Sequence, residues 1–233
     1  MRGRMKSRSL LGVILSCAVL GVYCLTKPQT ASAEPAPMFR PILRDIQNQL
    51  PRGWVMRLPS AVNLSDNLLY SQVRTIPGEF AVFLNSQPNC KVRFCYFGVI
   101  AVAQNSAYAN NLRSKPVFSQ QDIARVRAIR QRDFQTWTEA DKKLLSRSEM
   151  AVLERTHIAL KQGIEGLFIV QDGAGASTPP RASVIWKQNG LNYWVSMMGV
   201  GFDRNGKVTQ RDRSNLIDLA ISMASEPPIQ SVK

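Results

Sequence analysis

Side chains suited to chemistry are scarce in this sequence. His157 is the single histidine among 233 residues, and histidine is the residue type that most readily moves protons near neutral pH. Glu154 and Glu165 lie near it in sequence without forming a recognisable ligand set. A metal site needs several convergent donors, so the sequence predicts no metal and no cofactor. It favours a non-catalytic protein, and a small hydrolase or transferase with an unrecognised active site is the alternative.

The sequence around His157 has helical spacing. His157 shares one helical face with four apolar residues, Met150, Leu153, Leu160 and Ile164. A helix from about residue 148 that ends at Gly163 is therefore expected. On such a face a hydrogen-bonded core histidine is favoured over a catalytic one. The catalytic alternative would use Asp172 and Ser177 in the polar loop further along the chain.

Two loops resemble ligand-binding loops in composition. Residues 173–177 (Gly-Ala-Gly-Ala-Ser) follow a predicted strand, as phosphate-binding loops do, but the next residues lead into another strand. A phosphate loop would lead into a helix whose N-terminus completes the anion site. Residues 203–206 (Asp-Arg-Asn-Gly) lack the further carboxylates of a calcium loop. A flexible connector and a turn are the favoured interpretations.

The N-terminus has the pattern of an export signal. Basic residues between 2 and 8 precede an apolar run at 10–25, and Ala31-Ser32-Ala33 offers a cleavage site. We expect residues 1–33 to be a signal peptide and residues 34–233 to form one exported α+β domain, in the periplasm or outside the cell. The alternative is an uncleaved membrane anchor, although the run would span only ~24 Å of a ~30 Å hydrocarbon core. Lipidation at Cys17 is disfavoured, because only a short apolar stretch precedes it.

Cleavage of the signal peptide would leave Cys90 and Cys95 as the two cysteines of residues 34–233. An oxidising compartment favours a disulfide between them. An extended strand would separate the two residues by ~16 Å, whereas bridged Cα atoms lie ~5–6 Å apart, so the residues between them must turn back. Two buried free cysteines and a reactive dithiol are the alternatives. The spacing is not Cys-x-x-Cys, which disfavours redox catalysis.

The remaining pattern predicts an α+β fold: a largely antiparallel sheet with helices covering one face and a helical insertion in the middle of the chain. Strands are expected at 54–58, 80–84, 96–103, 167–171, 182–187 and 191–197, and further helices at 41–50, 119–134, from 138 and at 214–223. Asn189-Gly190 predicts a two-residue hairpin turn. Pro227-Pro228 is expected to end the ordered structure.

Three segments resemble uncharacterised exported proteins of cyanobacteria: Pro51-Arg52-Gly53-Trp54, residues 89–98 and residues 186–193. The last segment, with the helix predicted after it, also resembles the hairpin and helix of uncharacterised tail domains in bacterial envelope and anti-sigma regulators. These resemblances imply export and bring no established activity or site. Trp186 and Tyr193 are expected to pack within the hairpin rather than contact a ligand.

Charge is the most informative property of the body. Residues 34–233 hold 25 basic and 16 acidic residues, a net charge of +9. Four arginines, Arg125, Arg127, Arg130 and Arg132, fall within eight positions of one predicted helix. They could form an ordinary solvated helix face, or a basic patch that binds an anionic partner.

Because the protein is expected to be exported, an acidic lipid, a polysaccharide or an acidic protein is the favoured partner, and no nucleic acid is expected. Membrane contact would occur only through surface charge or an uncleaved N-terminal segment. The preferred hypothesis is therefore an exported cell-envelope protein that acts as a non-catalytic binding or interaction module with a basic surface. A structural subunit of an envelope assembly is a further hypothesis, and it would show a large exposed apolar patch.

Overall fold

The computed structural model describes residues 34–63, 69–90, 95–148, 151–161, 163–173, 179–203 and 206–232. All of these residues belong to one compact unit. The predicted signal peptide lies outside them, as do most of the glycine-bearing loop at 173–177 and the middle of the predicted turn at 203–206. Within the described ranges, no helix has both the length and the hydropathy needed to cross a bilayer.

The chain alternates between a strand-rich part, a helical part and a second strand-rich part. In order it forms a 3-10 helix at Pro37–Ile42, α1 (Leu43–Gln49), β1 (Val55–Met56), β2 (Tyr70–Ile76), β3 (Glu79–Asn85), β4 (Tyr96–Ala103), α2 (Ala107–Ser114), α3 (Gln120–Arg130), a 3-10 turn at Phe134–Thr136, α4 (Glu139–Ser148), β5 (Val152–Lys161), β6 (Ile164–Gln171), β7 (Arg181–Gln188), β8 (Leu191–Met198), α5 (Gln210–Ser225) and β9 (Ile229–Gln230). The predicted α+β class is confirmed, and α2 to α4 are the helical insertion.

Seven strands form one antiparallel sheet in the order β2-β3-β4-β8-β7-β6-β5. β2, β3 and β4 form one meander, and β5 to β8 form a second meander. The two meanders join where β4 pairs with β8 at the centre of the sheet. The insertion carries the chain from this centre to the far edge, where β5 begins. β1 and β9 form a separate two-stranded ribbon.

One face of the sheet, called the first face here, carries the main core. Side chains from the sheet strands pack there against the 3-10 helix, α1 and one side of α5, including Leu216 and Met223. Trp186 and Tyr193 are opposite each other in the β7–β8 register, and their rings stack with centroids 5.4 Å apart. Both are buried, which confirms the expected packing role, and Asn189 and Gly190 both have the positive φ of the predicted turn.

The opposite face, called the second face, is covered in part by α2. Ala109 and Leu112 of α2 pack with Ala101, Ile185 and Trp194 of the sheet. The sequence predicted helices over one face and did not predict α2, which is short and polar. Capping supports this helix, because the Ser106 hydroxyl accepts a hydrogen bond from the Ala109 backbone N–H at 3.1 Å.

The C-terminal end of α2 is held by a strand arginine. The Arg155 guanidinium, on β5, donates to the Leu112 carbonyl oxygen at 2.6 Å and also to the Lys115 carbonyl oxygen. The last carbonyl groups of a helix have no partners within the helix, and a cation at that end also complements the helix dipole. Arg155 therefore fastens α2 to the second face.

The helix predicted over residues 148–163 is wrong. β5 and the start of β6 occupy this stretch, and Gly163 lies in the turn between them with φ +77°. β5 has register irregularities between Val152 and Glu154 and between Ala159 and Lys161, so its apolar residues do not alternate strictly. Such bulges produce spacing that looks helical, whereas the β-branched residues Thr156 and Ile158 favour a strand.

Two further expectations differ from the structure. β2 was not predicted, because its alternation is weak and none of its residues is buried. Order does not end at Pro227-Pro228, since β9 follows directly and pairs with β1, Ile229 opposite Met56. Proline ends a helix by removing a backbone N–H, but it does not prevent the next residues from pairing as a strand.

Gly98 permits the close approach of β4 and β8. A Cβ atom at this buried position would lie 2.5 Å from the backbone carbonyl oxygen of Ser196. Gly98→Ala is therefore expected to lower the free energy of unfolding by about 1–3 kcal/mol, measured by urea unfolding of the purified protein. Lys187→Ala, at an exposed position of β7, should change it by less than about 0.5 kcal/mol. Equal stability of the two variants would contradict the packing at this junction.

Candidate ligand-binding face

The four arginines predicted to form a basic patch lie on and just after α3. The helix begins with a capping box, in which the Ser119 hydroxyl accepts from the Asp122 N–H and the Asp122 carboxylate accepts from the Ser119 N–H. Ile123, Val126 and Ile129 are buried. The arginines therefore occupy the remaining, outward part of the helix surface, as the sequence predicted.

Three of these arginines have carboxylate partners within the protein. Arg132 Nη2 lies 3.1 Å and Arg125 Nη2 4.0 Å from the carboxylate of Asp141, while Arg130 Nη1 lies 3.2 Å from that of Asp172. These ion pairs join α3 to α4 and to the end of β6. Arg127 lies beside Gly206, in the loop before α5. Use of these arginines as a binding patch stays a prediction, but much of their charge is already matched internally.

Asp141 is the centre of this network. It is 4% exposed, its carboxylate accepts from the Thr138 N–H at 3.1 Å, and its own N–H donates to the Thr138 hydroxyl at 3.1 Å. Hydrogen bonds that the carboxylate accepts from the backbone N–H and the side chain of Thr138, with a smaller effect of the nearby Arg132, lower the pKa of Asp141 below its ordinary value. The charged form is therefore the one that the folded state favours.

This lowered pKa predicts a pH-dependent stability. The contribution of Asp141 is complete above the unfolded-state pKa of about 3.9 and disappears as the pH falls through the lower folded-state pKa. Asp141→Asn should therefore lower the urea midpoint at pH 7 and lose most of this difference from the wild type near pH 2. Glu139→Gln, which alters an exposed pair with Lys142, should have little effect at either pH. A pH-independent effect of Asp141→Asn would contradict the assignment.

A different arginine cluster occupies the part of the second face that α2 leaves open. The Arg74 guanidinium, on β2, lies 4.8 Å from the Phe83 ring centroid and 5.1 Å from that of Tyr96. It donates to the Tyr96 hydroxyl, to the Cys90 carbonyl oxygen at 2.9 Å and to the Gln72 side chain at 3.2 Å. Cation–π contacts and hydrogen bonds thus fix this side chain.

Arg181 belongs to the second half of the same face, on β7. Ser183 and Ser196 face each other across β7 and β8 with hydroxyl oxygens 2.7 Å apart, and the Tyr108 hydroxyl lies 3.2 Å from that of Ser183. Arg181 Nη1 donates to the Tyr108 hydroxyl at 3.4 Å. The Nε–H of Arg181 is buried and has no acceptor among the described residues. This cluster is a chain of hydroxyl groups with one unsatisfied cationic donor beside it.

A cavity of about 200 Å³ opens between these two clusters, and we call it the open-face cavity. Its lining residues are Phe83, Tyr96, Gly98, Val99, Arg181, Ser196 and Met198. No carboxylate belongs to this lining, and neither Arg74 nor Arg181 has an ion-pair partner in the part of the chain that the structure describes. The cavity thus combines apolar walls with uncompensated positive charge.

The predicted disulfide between Cys90 and Cys95 is present, with Cα atoms 5.8 Å apart. The Cys95 carbonyl oxygen accepts from the Ser86 N–H at 2.9 Å, and the Cys90 carbonyl oxygen accepts from Arg74. The bridge therefore holds the acceptor that fixes one side of the Arg74 guanidinium. In the candidate site the disulfide therefore helps to position the Arg74 side chain.

Removing the bridge should destabilise the protein. The Cys90→Ala/Cys95→Ala double variant is expected to lose about 2 kcal/mol of unfolding free energy, because the closed loop no longer restricts the unfolded chain. Urea unfolding measures this loss, and dithiothreitol should lower the stability of the wild type by a similar amount without affecting the variant. A wild type that is insensitive to the reductant once the bridge is shown to be reduced would contradict this expectation.

His157 is not the core histidine that the sequence predicted. It is exposed on the edge strand β5, and none of the described residues forms a hydrogen bond or an ion pair with its side chain. The prediction failed because the segment is a strand rather than a helix. Asp172, the expected acidic partner, instead pairs with Arg130 and accepts from the Gly173 N–H. Ser177 lies outside the described residues.

A larger cavity, of about 510 Å³, lies on the other side of the sheet beside the start of α5. Three of its charged side chains already have partners: Glu154 pairs with Arg213, and the Asp203 carboxylate accepts from the Lys207 backbone N–H. The Arg213 guanidinium also lies 4.3 Å from the Phe168 ring centroid. These contacts assign the charges to internal structure rather than to a ligand.

No group of three or more metal-ligating side chains occurs among the described residues. No family model, curated protein or solved structure matches this chain. The resemblances to exported cyanobacterial proteins and to envelope regulators therefore stay predictions. The open-face cavity was not predicted from the sequence, although Ser183 and Ser196 interrupt the apolar middle parts of β7 and β8 and could have indicated it.

Proposed function

We propose that this chain is an exported cell-envelope protein that works as a non-catalytic module for binding an anionic envelope component. The N-terminal pattern of basic, apolar and small residues supports export. The disulfide between Cys90 and Cys95 is consistent with an oxidising compartment. The proposed partner is an acidic lipid, a polysaccharide or an acidic protein.

The observation that carries this proposal is the Arg181 guanidinium group in the lining of the open-face cavity, with the Arg74 guanidinium group over the Phe83 and Tyr96 rings of its wall. Arg74 and Arg181 are both only partly exposed, and both are held by aromatic groups and hydroxyls rather than by carboxylates. A guanidinium group that is already positioned loses little side-chain entropy when an anion binds. The α3 arginines are less suited to this role, because a ligand would have to compete with Asp141 and Asp172.

The arrangement of the reactive side chains favours binding over catalysis. The hydrolase or transferase alternative depended on a base at His157 with a nearby carboxylate or nucleophile. In the structure His157 is an exposed edge-strand residue and Asp172 is engaged by Arg130. The structural-subunit hypothesis is also not favoured, since the exposed large apolar side chains of the described residues are scattered: Tyr70, Ile76, Val117, Phe134 and Val232.

Two double variants that remove the same charge test this proposal. Arg74→Gln/Arg181→Gln should weaken binding of the purified protein to anionic phospholipid vesicles or to purified envelope polysaccharide by about ten- to hundredfold, since a hydrogen bond to a charged group contributes about 1.5–3 kcal/mol. Arg127→Gln/Arg147→Gln, at exposed positions of α3 and α4, should weaken it less than threefold. Co-sedimentation at low and physiological salt measures both, because surface attraction is screened over ~8 Å at physiological salt.

Circular dichroism and thermal unfolding check that both double variants fold. Equal losses in the two variants would assign binding to overall charge and overturn the role of the open face. Failure of the wild type to bind any of these anionic components at low salt would overturn the proposed function itself.

A further inference from the structure

We infer that the open-face cavity is a site for a small organic anion with an apolar body, the chemistry that benzoate represents. This inference rests on the proposed function and makes it specific, because the anionic component would present such a group to the cavity. Four observations lead to it: the size of the cavity, its walls, its cationic donor and its hydroxyl chain.

The size of the cavity sets the size of the group. Its volume of about 200 Å³ equals the liquid volume of roughly seven water molecules at ~30 Å³ each. Cavities for drug-sized ligands usually begin near ~300 Å³. One ring or a short branched chain with an acidic group therefore fits, either as a whole small molecule or as the end group of a longer one.

The walls select an apolar body. Phe83, Val99 and Met198 provide ring, branched and thioether surfaces, and the Tyr96 ring adds a second aromatic wall whose centroid lies 5.1 Å from that of Phe83. Aromatic and thioether groups make favourable contacts with a bound ring. A small inorganic anion would leave these walls in contact with water. A ligand that fills the cavity well therefore needs an apolar part as well as a charge.

The polar groups select an anion. Arg181 lines the cavity and has no ion-pair partner among the described residues, so the carboxylate of a bound ligand would compensate its charge. Arg74 adds positive charge over the Phe83 and Tyr96 rings. No carboxylate lines the cavity, so a cationic ligand would be repelled and a neutral one would leave the guanidinium uncompensated.

The hydroxyl chain allows the cavity to adjust to the ligand. Ser196 is 1% exposed and lines the cavity, and its hydroxyl is linked through Ser183 to that of Tyr108. A hydroxyl can donate or accept, and its hydrogen rotates freely. The three hydroxyls can therefore turn together so that Ser196 donates to an anion. The Tyr108 hydroxyl also accepts from Arg181, which connects the chain to the cationic donor.

The test compares three probes of related structure on the purified protein. Benzoate has both the ring and the charge, benzyl alcohol has the ring alone, and acetate has the charge alone. We expect benzoate to bind at least tenfold more tightly than either partial probe, measured by calorimetry. In protein labelled with ¹³C at its methionine methyl groups, benzoate should shift the Met198 signal, which Met198→Leu identifies. Equal affinity for benzoate and acetate would overturn the inference.

Two cavity variants and one control locate the site. Arg181→Gln should weaken benzoate binding at least tenfold while changing that of benzyl alcohol less than threefold, and Val99→Trp should block both by filling the cavity. Arg147→Gln, an exposed change of equal charge, should leave benzoate binding within twofold of the wild type. Met198 signals that retain their dispersion in each variant show that the sheet is intact. Benzoate binding that survives Val99→Trp in a folded variant would contradict the site.

The outcomes separate this inference from the function on which it rests. If anionic vesicles or polysaccharide bind through Arg74 and Arg181 but benzoate does not bind, the inference fails and the proposed function stands. If benzoate binds in the cavity but no anionic envelope component binds, the site is upheld and the proposed partner class is wrong.

Discussion

The pairing of β4 with β8 is the constraint on which the rest of the structure depends. These two strands come from meanders that are separated by the whole helical insertion, and their contact turns two small sheets into one. Gly98 lets the backbones meet, and Val99 lies opposite Ser196 across the junction. The open-face cavity lies over this junction, so its lining exists only when both halves of the chain are folded and in register.

The arginines of the described residues occupy two kinds of site. Arginines at the ends of elements serve the fold: Arg155 holds the end of α2, the Arg57 guanidinium donates to the Glu226 carbonyl oxygen at the end of α5, and Arg132 pairs with Asp141. The guanidinium groups of Arg74 and Arg181 differ because they lie at the open-face cavity: Arg181 lines it, and Arg74 lies over the Phe83 and Tyr96 rings of its wall. Part of the positive charge of residues 34–233 therefore serves the fold.

The sequence predicted the features that depend on local chemistry. The Cys90–Cys95 bridge and the Asn189-Gly190 turn depend on short local patterns, and the α+β class depends on the order of strand-like and helix-like segments. It failed where long-range pairing decides the outcome. The bulged edge strand β5 imitates helical spacing, so His157 was wrongly placed in the core, and the cavity needs a register between residues nearly a hundred positions apart, such as Val99 and Ser196.

The central claim is that this junction creates an anion site with apolar walls. A crystal structure of the purified protein soaked with 4-bromobenzoate tests it most directly, because the anomalous signal of bromine locates the ring without reference to the protein. We expect a bromine peak among Phe83, Val99 and Met198, with the carboxylate at Arg181. A peak beside the α3 arginines instead, with no density in the open-face cavity, would contradict it.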